Sequence, residues 1–154
     1  MQRVVLIAIG RLKEPWAKQA ASQYVERIGH GMKFEMKELP ASRESDPLRQ
    51  REDESRRMAE AAEKAGGAVF VLDETGERMT SLMFAKALQK LEDSGTPATF
   101  LLGGAYGFSD DVKRARKVIR LSDMTLPHEL CRILFLEQLY RAREINRGSG
   151  YHHE

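Results

Sequence analysis

Apolar residues in this chain fall into short unbroken blocks separated by longer amphipathic stretches. Val4–Ile9, Ala68–Leu72 and Ala98–Leu102 are runs of aliphatic, β-branched and aromatic side chains, the pattern of strands buried on both faces. Lys33–Leu39 differs, because Phe34, Met36 and Leu39 interleave with charges, and it predicts a half-buried strand. Val118–Leu121 predicts a short one. The stretches between them predict helices. Pro15 sits in the first turn of one running from Trp16 to about Ile28. A second spans about Leu48 to Lys64 and ends at Gly66-Gly67, and a third spans Ser81 to Leu91 and stops at Ser94-Gly95. Ser109-Asp110-Asp111 can cap and charge the start of a short helix. The last helix runs from about Pro127 to Arg147. Val4–Ile9 opens the chain like the apolar part of a leader, but it is short and no small-residue cleavage site follows, so a strand is the better reading.

Strands alternating with helices predict an α/β fold, a mostly parallel sheet with helices on both faces. No repeat, low-complexity tract or linker interrupts the alternation, so 1–154 reads as one domain. Ligands of such sheets bind beyond the carboxyl ends of the strands. Three loops should therefore open at one edge: Asp73–Gly76, Gly103–Gly107 and Ser122–Leu126.

Composition changes this picture little. The chain is 42% hydrophobic and 31% charged, with no apolar run near the roughly 20 residues of a membrane span, so no membrane partner is expected. A single cysteine, Cys131, excludes an internal disulfide and favours a reducing, cytoplasmic setting. Charge is informative in its distribution. The net charge is +2, yet Lys113 to Arg147 holds nine basic residues against four acidic ones, a local +5 that suits a polyanion. The mixed-sign stretch Arg49–Arg57 reads instead as a solvated helix face.

Candidate chemistry concentrates in the last third. The Gly103-Gly104-x-x-Gly107 loop follows a buried strand, and its first glycines let backbone approach a ligand. It is not a P-loop, since no Lys-Ser/Thr follows, and its spacing and late position are not those of a dinucleotide fingerprint. Leu121, Ser122, Asp123, Met124, Thr125 and Leu126 offer backbone and hydroxyl groups beside apolar side chains, which can hold a flat heterocycle. The same residues also read as an ordinary helix start with Thr125 as cap. Ile133–Leu136 is apolar around most of a helix circumference, which points to burial on two sides and to a homodimer. His128, His152 and His153 lack a cysteine or carboxylate at ligand spacing, so no metal is expected. Gly148 and Gly150 allow the tail to turn back onto the helix, where Tyr151 can stack on a base and the histidines can hydrogen-bond base or phosphate.

Taken as a set, Leu102-Gly103-Gly104-x-x-Gly107, Leu121-Ser122-x-Met124-Thr125-Leu126-Pro127-His128, Arg132, Glu137-Gln138-x-Tyr140-Arg141-Ala142 and the closing Tyr151-His152 resemble the RlmH family, ribosomal large-subunit RNA methyltransferases of the SPOUT superfamily. Ala8-Ile9-Gly10-Arg11, Pro40-Ala41 and Leu72-Asp73-x-x-Gly76 extend the match over nearly the whole chain. The resemblance implies a C-terminal trefoil knot within about 98–150. It implies S-adenosyl-L-methionine held by Leu72, Gly103, Gly104 and Leu121–Leu126, and a homodimer whose second subunit completes the RNA site. The implied reaction is methylation of N3 of a pseudouridine in a stem-loop of 23S ribosomal RNA on the assembled ribosome. His128, Arg141, Tyr151 and His152 then become candidates for handling the target base. Lys113, Arg114, Lys117, Arg132, Arg143 and His153 become candidates for RNA phosphates, with Arg132 equally readable as an ion-pair partner inside the dimer. Two departures stand out: His153 replaces the usual Arg or Lys, and Ala105-Tyr106 fills the variable pair between the glycines. Rival classes fit less well. A non-enzymatic ribosome-binding module has no need for both cofactor-type loops, and a flavodoxin-like protein would need a phosphate loop where this chain has Gly10-Arg11-Leu12-Lys13.

Overall fold

In a computed structural model, residues 1–153 are described, and they form five strands and five helices in strict alternation. In chain order these are β1 (Arg3–Ile9), α1 (Pro15–Gly29), β2 (Lys33–Leu39), α2 (Pro47–Ala65), β3 (Ala68–Arg78), α3 (Ser81–Asp93), β4 (Ala98–Leu102), α4 (Asp110–Arg114), β5 (Lys117–Arg120) and α5 (His128–Asn146). One sheet holds all five strands in the order β2-β1-β4-β3-β5, and every pairing is parallel.

The apolar runs behave as their composition requires. In β1, Val4, Leu6 and Ala8 face one core, packed with residues of α1, α3 and α5. Val5, Ile7 and Ile9 face a second core shared with Met58, Ala61 and Ala62 of α2 and Val112 of α4. Alternate side chains of a strand point to opposite faces, so a strand covered on both sides must be apolar throughout. Phe100 of β4 anchors the larger core, 5.1 Å from the ring of Phe70 and 4.9 Å from Phe135 of α5. The edge strand β2 alternates, as its charges demand. Among the described residues no helix is long and apolar enough to cross a membrane.

Helix starts follow local rules in part. Asp46 and Thr80 accept hydrogen bonds from the backbone N–H of Arg49 and Met83, fixing the starts of α2 and α3. Thr125 does not cap α5: Pro127 occupies that position without a side-chain bond, which leaves Thr125 for another use. Ser109 precedes α4 without capping it; its N–H donates instead to the Ser55 hydroxyl, 2.9 Å away on α2.

Asp73–Gly76 does not end its strand. β3 continues to Arg78 through an irregularity at which Leu72 and Glu77 both pair with Ile119 of β5. The Asp73 carboxylate accepts from the Thr75 N–H at 3.1 Å, folding the extra residues into a local turn. Gly76 then lies so close to Ile119 that an added Cβ would sit 2.6 Å from its backbone. A bulge of this kind aims side chains out of the sheet while pairing resumes beyond it.

Candidate active site

The three expected loops meet. At the β3 bulge and the carboxyl ends of β4 and β5 they enclose a cavity of about 500 Å³, within the usual range for a small-molecule site. One wall is the bulge with Leu72, Asp73, Glu74 and Thr75, and another is Leu102 to Phe108. The third is Leu121, Ser122, Met124, Thr125 and Leu126, closed by His128 and Cys131 at the start of α5. Apolar leucines therefore stand beside backbone amides, hydroxyls and a few charges, a set suited to a heterocycle carrying a polar extension.

Glycine is required in this wall. A Cβ on Gly103 would stand 3.0 Å from the Phe108 ring, and one on Gly104 would stand 2.5 Å from the Glu54 carboxylate. Gly107 takes φ +71°, which closes the loop through its N–H to the Gly104 carbonyl. Glu54 is 1% exposed; one oxygen accepts from the Ser42 N–H at 2.8 Å and the other faces Gly104 without a partner.

The expected site residues separate into groups. Asp123 alone of Leu121–Leu126 is absent from the cavity wall, because Arg78 and Arg120 draw its carboxylate outward, at 3.0 and 3.4 Å. His128 lines the cavity, and its Nε2 donates to the Ile9 carbonyl at 3.2 Å. Burial pushes the neighbouring Cys131 thiol up from its ordinary value. Arg132 corrects an expectation. Its guanidinium is fully buried, paired with Glu38 at 2.7 Å and donating to the Ile9 and Gly10 carbonyls at 3.1 and 3.0 Å. It is thus the ion-pair partner, but of its own chain, and although its Nε has no partner, its complete burial keeps it from a phosphate. Desolvation lowers its pKa and the Glu38 carboxylate opposes that shift.

Arg141, Tyr151 and His152 lie elsewhere, toward the far end of α5. Glu137 accepts from Arg141 at 2.7 Å and from the Tyr151 hydroxyl at 3.2 Å. The Arg141 guanidinium stacks 4.9 Å above the Tyr151 ring and donates to His152 Nδ1 at 3.0 Å. Positive φ at Gly148 and Gly150 makes the turn that brings this tail back, as the glycines predict. The Tyr151 phenol is pushed up, first by burial and then by the Glu137 charge, so it stays protonated. The hydrogen bond that Arg141 donates to Glu137 raises the arginine in turn. Tyr140 closes the cluster edge-on to Tyr151 at 4.9 Å.

The expected phosphate-binding cations do not share one face. Lys113 reaches Asp73 in the cavity wall at 3.7 Å. Arg114 is exposed on α4 beside Asp111, and Lys117 stands 3.9 Å from Glu77 on the outer strand. Arg143 is mostly buried and donates to the Arg27 carbonyl, while His153 is exposed on the tail. Sequence reading missed Arg51 of α2, which lines the cavity. A signal existed: Met58, Glu54 and Arg51 are spaced four and three apart, so Arg51 falls on the helix face that packs inward. Ile133, Phe135 and Leu136 bury into the chain's own core, leaving only Leu134 of that apolar block partly open.

Comparison with known proteins adds a family. A family model described as "Predicted SPOUT methyltransferase" matches residues 2–152. A protein of Maridesulfovibrio salexigens named ribosomal RNA large subunit methyltransferase H is 39% identical over 99% of both chains. Its namesake in Desulfovibrio desulfuricans is 43% identical over 96% of this chain and 95% of that one. Among solved structures, the SpoU methyltransferase AviRb of Streptomyces viridochromogenes, in complex with AdoMet, covers 91% of this chain and 57% of its own at 17% identity and a TM-score of 0.44. TrmJ of Z. mobilis covers 100% of this chain and 72% of its own at 12% identity and a TM-score of 0.47.

Proposed function

This chain belongs to the SPOUT methyltransferases, in the family of ribosomal RNA large subunit methyltransferase H, and from that premise we propose that it methylates N3 of a pseudouridine in a stem-loop of 23S ribosomal RNA. S-adenosylmethionine is the donor, the assembled ribosome the substrate, the cytoplasm the compartment, and a homodimer the working form. The observation that carries this reading is the convergence of the β3 bulge and the loops after β4 and β5 on one cavity. The residues present fit the donor: leucines for the adenine faces, backbone amides for its edges, and a glycine wall that admits close approach. In this reading the single domain threads the segment 98–150 as a trefoil knot, and both later loops of the cavity belong to that segment.

A methyl sulfonium brings its own reactivity, so the protein has to align an in-line transfer and keep water out. The chain's residues fall into two roles. His128 and the loop walls shape the cavity. Arg141, Tyr151 and His152 hold the target base: Tyr151 as a protonated donor, Arg141 as a charge that favours loss of the N3 proton, and His152 with its proton on Nε2, because Nδ1 accepts from Arg141. The N3 proton leaves to solvent.

His128 and Arg141 are thirteen residues apart on α5, about 20 Å at the rise of an α-helix. Although Tyr151 folds back to Glu137, no residue of this cluster lines the cavity of its own chain, which supports a site completed by a second subunit. Exposed Arg114, Lys117 and His153 supply phosphate contacts, with His153 doing so in its protonated form. The test is transfer of label from S-adenosylmethionine to ribosomes lacking the modification, with free ribosomal RNA as control. Label in 23S RNA of intact ribosomes alone is expected; label in small-subunit RNA or in protein overturns the substrate.

A further inference from the structure

The cavity is lined by charges of both signs at one wall, and the loops alone do not account for them. Asp73 sits at the glycine loop, its Oδ1 3.6 Å from the position of a Cβ on Gly107, and Lys113 approaches its other oxygen at 3.7 Å. Glu74 follows on the same bulge. Arg51 joins them from α2. It lies one helical turn before Glu54, whose carboxylate touches Gly104, so the arginine is carried to the same loop. Among the described residues its ion-pair partner is the adjacent Glu52 at 3.5 Å, and its buried Nε has no partner there.

A buried N–H left unpaired in a ligand-sized cavity marks a missing acceptor. Two acidic groups beside it disfavour a phosphate, which carries charge of one sign only. A zwitterion matches both signs. We infer that Arg51 and Lys113 receive the carboxylate, and Asp73 and Glu74 the ammonium, of an α-amino-acid group at the glycine-loop end of the cavity. The inference rests on the donor proposed above, which carries such a group, and it assigns that end of the cavity to the amino-acid moiety.

Isothermal titration of the full-length protein tests it with two probes. S-adenosylhomocysteine carries the amino-acid group; 5′-methylthioadenosine keeps the nucleoside and thioether and lacks it. Arg51→Ala is expected to weaken S-adenosylhomocysteine about tenfold or more, the worth of one charge-assisted hydrogen bond, and to leave methylthioadenosine within about twofold. Lys113→Met should act in the same selective way, and Arg51→Lys should recover part of the loss. Equal weakening of both probes by Arg51→Ala, or of neither, overturns the inference. If neither probe weakens while affinity for ribosomes falls, Arg51 is an RNA contact. Failure of the wild-type chain to bind either probe removes the donor reading itself, an outcome distinct from loss of selectivity.

Discussion

The two ends of α5 solve different problems. Its first turn closes a cavity whose walls are loops, glycines and backbone, held in place by buried ties: Arg132 to Glu38 and the β1 carbonyls, Glu54 to Ser42, Ser55 to Ser109. Its last turns carry a cluster that is already paired without any ligand, Glu137 with Arg141 and Tyr151, and Arg141 with His152. The first end is a container and the second is a preset arm. Preorganised donors need no rearrangement when charge develops, which suits handling a base. A wall of glycines and backbone suits close approach to a cofactor. The cluster lies outside the cavity lining of its own chain, and the proposed dimer would bring the two ends together across the subunit boundary.

The largest expected effect breaks or keeps that separation outright. Deleting residues 150–154 should abolish methyl transfer while leaving S-adenosylhomocysteine affinity nearly intact. A Gly104→Val chain should lose the cavity and keep the tail. Mixed and allowed to exchange subunits, the two inactive chains should recover about a quarter of wild-type transfer, since half the dimers are mixed and each has one complete site. No recovery would mean that tail and cavity act within one chain.

Stability should report the first end. Arg132→Met leaves two backbone carbonyls and the solvent-accessible Glu38 without their partner, a loss of about 2 kcal/mol and roughly 4–8 °C in Tm for a chain of this size. Thermal melting checks it, and an unchanged Tm would make the buried arginine dispensable. Activity should report the second end. Glu137→Gln removes the charge that orients Arg141 and Tyr151; transfer should fall about tenfold, with Tm moved by only a few degrees. A large drop in Tm would turn the arm into part of the core.

Cys131 gives the smallest and most local signal. Burial raises its pKa, and a raised thiol pKa means less thiolate at neutral pH. Alkylation should be slow at pH 7, should accelerate only above the midpoint of a free cysteine, and should slow further when S-adenosylhomocysteine fills the cavity. A midpoint at or below that of free cysteine would contradict the closed geometry at this end of α5.

Much of this was legible in the residues. Unbroken apolar runs marked β1, the first half of β3, and β4, because a strand covered on both faces has no polar position to spare. Parallel strands then put three loops at one edge, and the cavity followed. Arg51 was hidden among mixed charges that look solvated until α2 is laid on the sheet and the spacing from Met58 turns inward. The turn at Asp73–Gly76 read as a stop because its polar residues are those of a loop; only pairing with β5 across Ile119 keeps the strand going. Arg132 read as a phosphate ligand or a dimer ion pair because nothing in the chain order brings residue 38 near residue 132.

The sequence by itself settled what periodicity and turn chemistry encode: which segments are strands or helices, that the sheet is parallel, and which edge binds. Tertiary structure decided which charges are spent inside and which are free. That is a question of long-range neighbours. A guanidinium fully buried against a carboxylate and two carbonyls, like Arg132, is structural, whereas one that lines a cavity, like Arg51, is open to a ligand, and identical side chains differ only in what the fold sets against them.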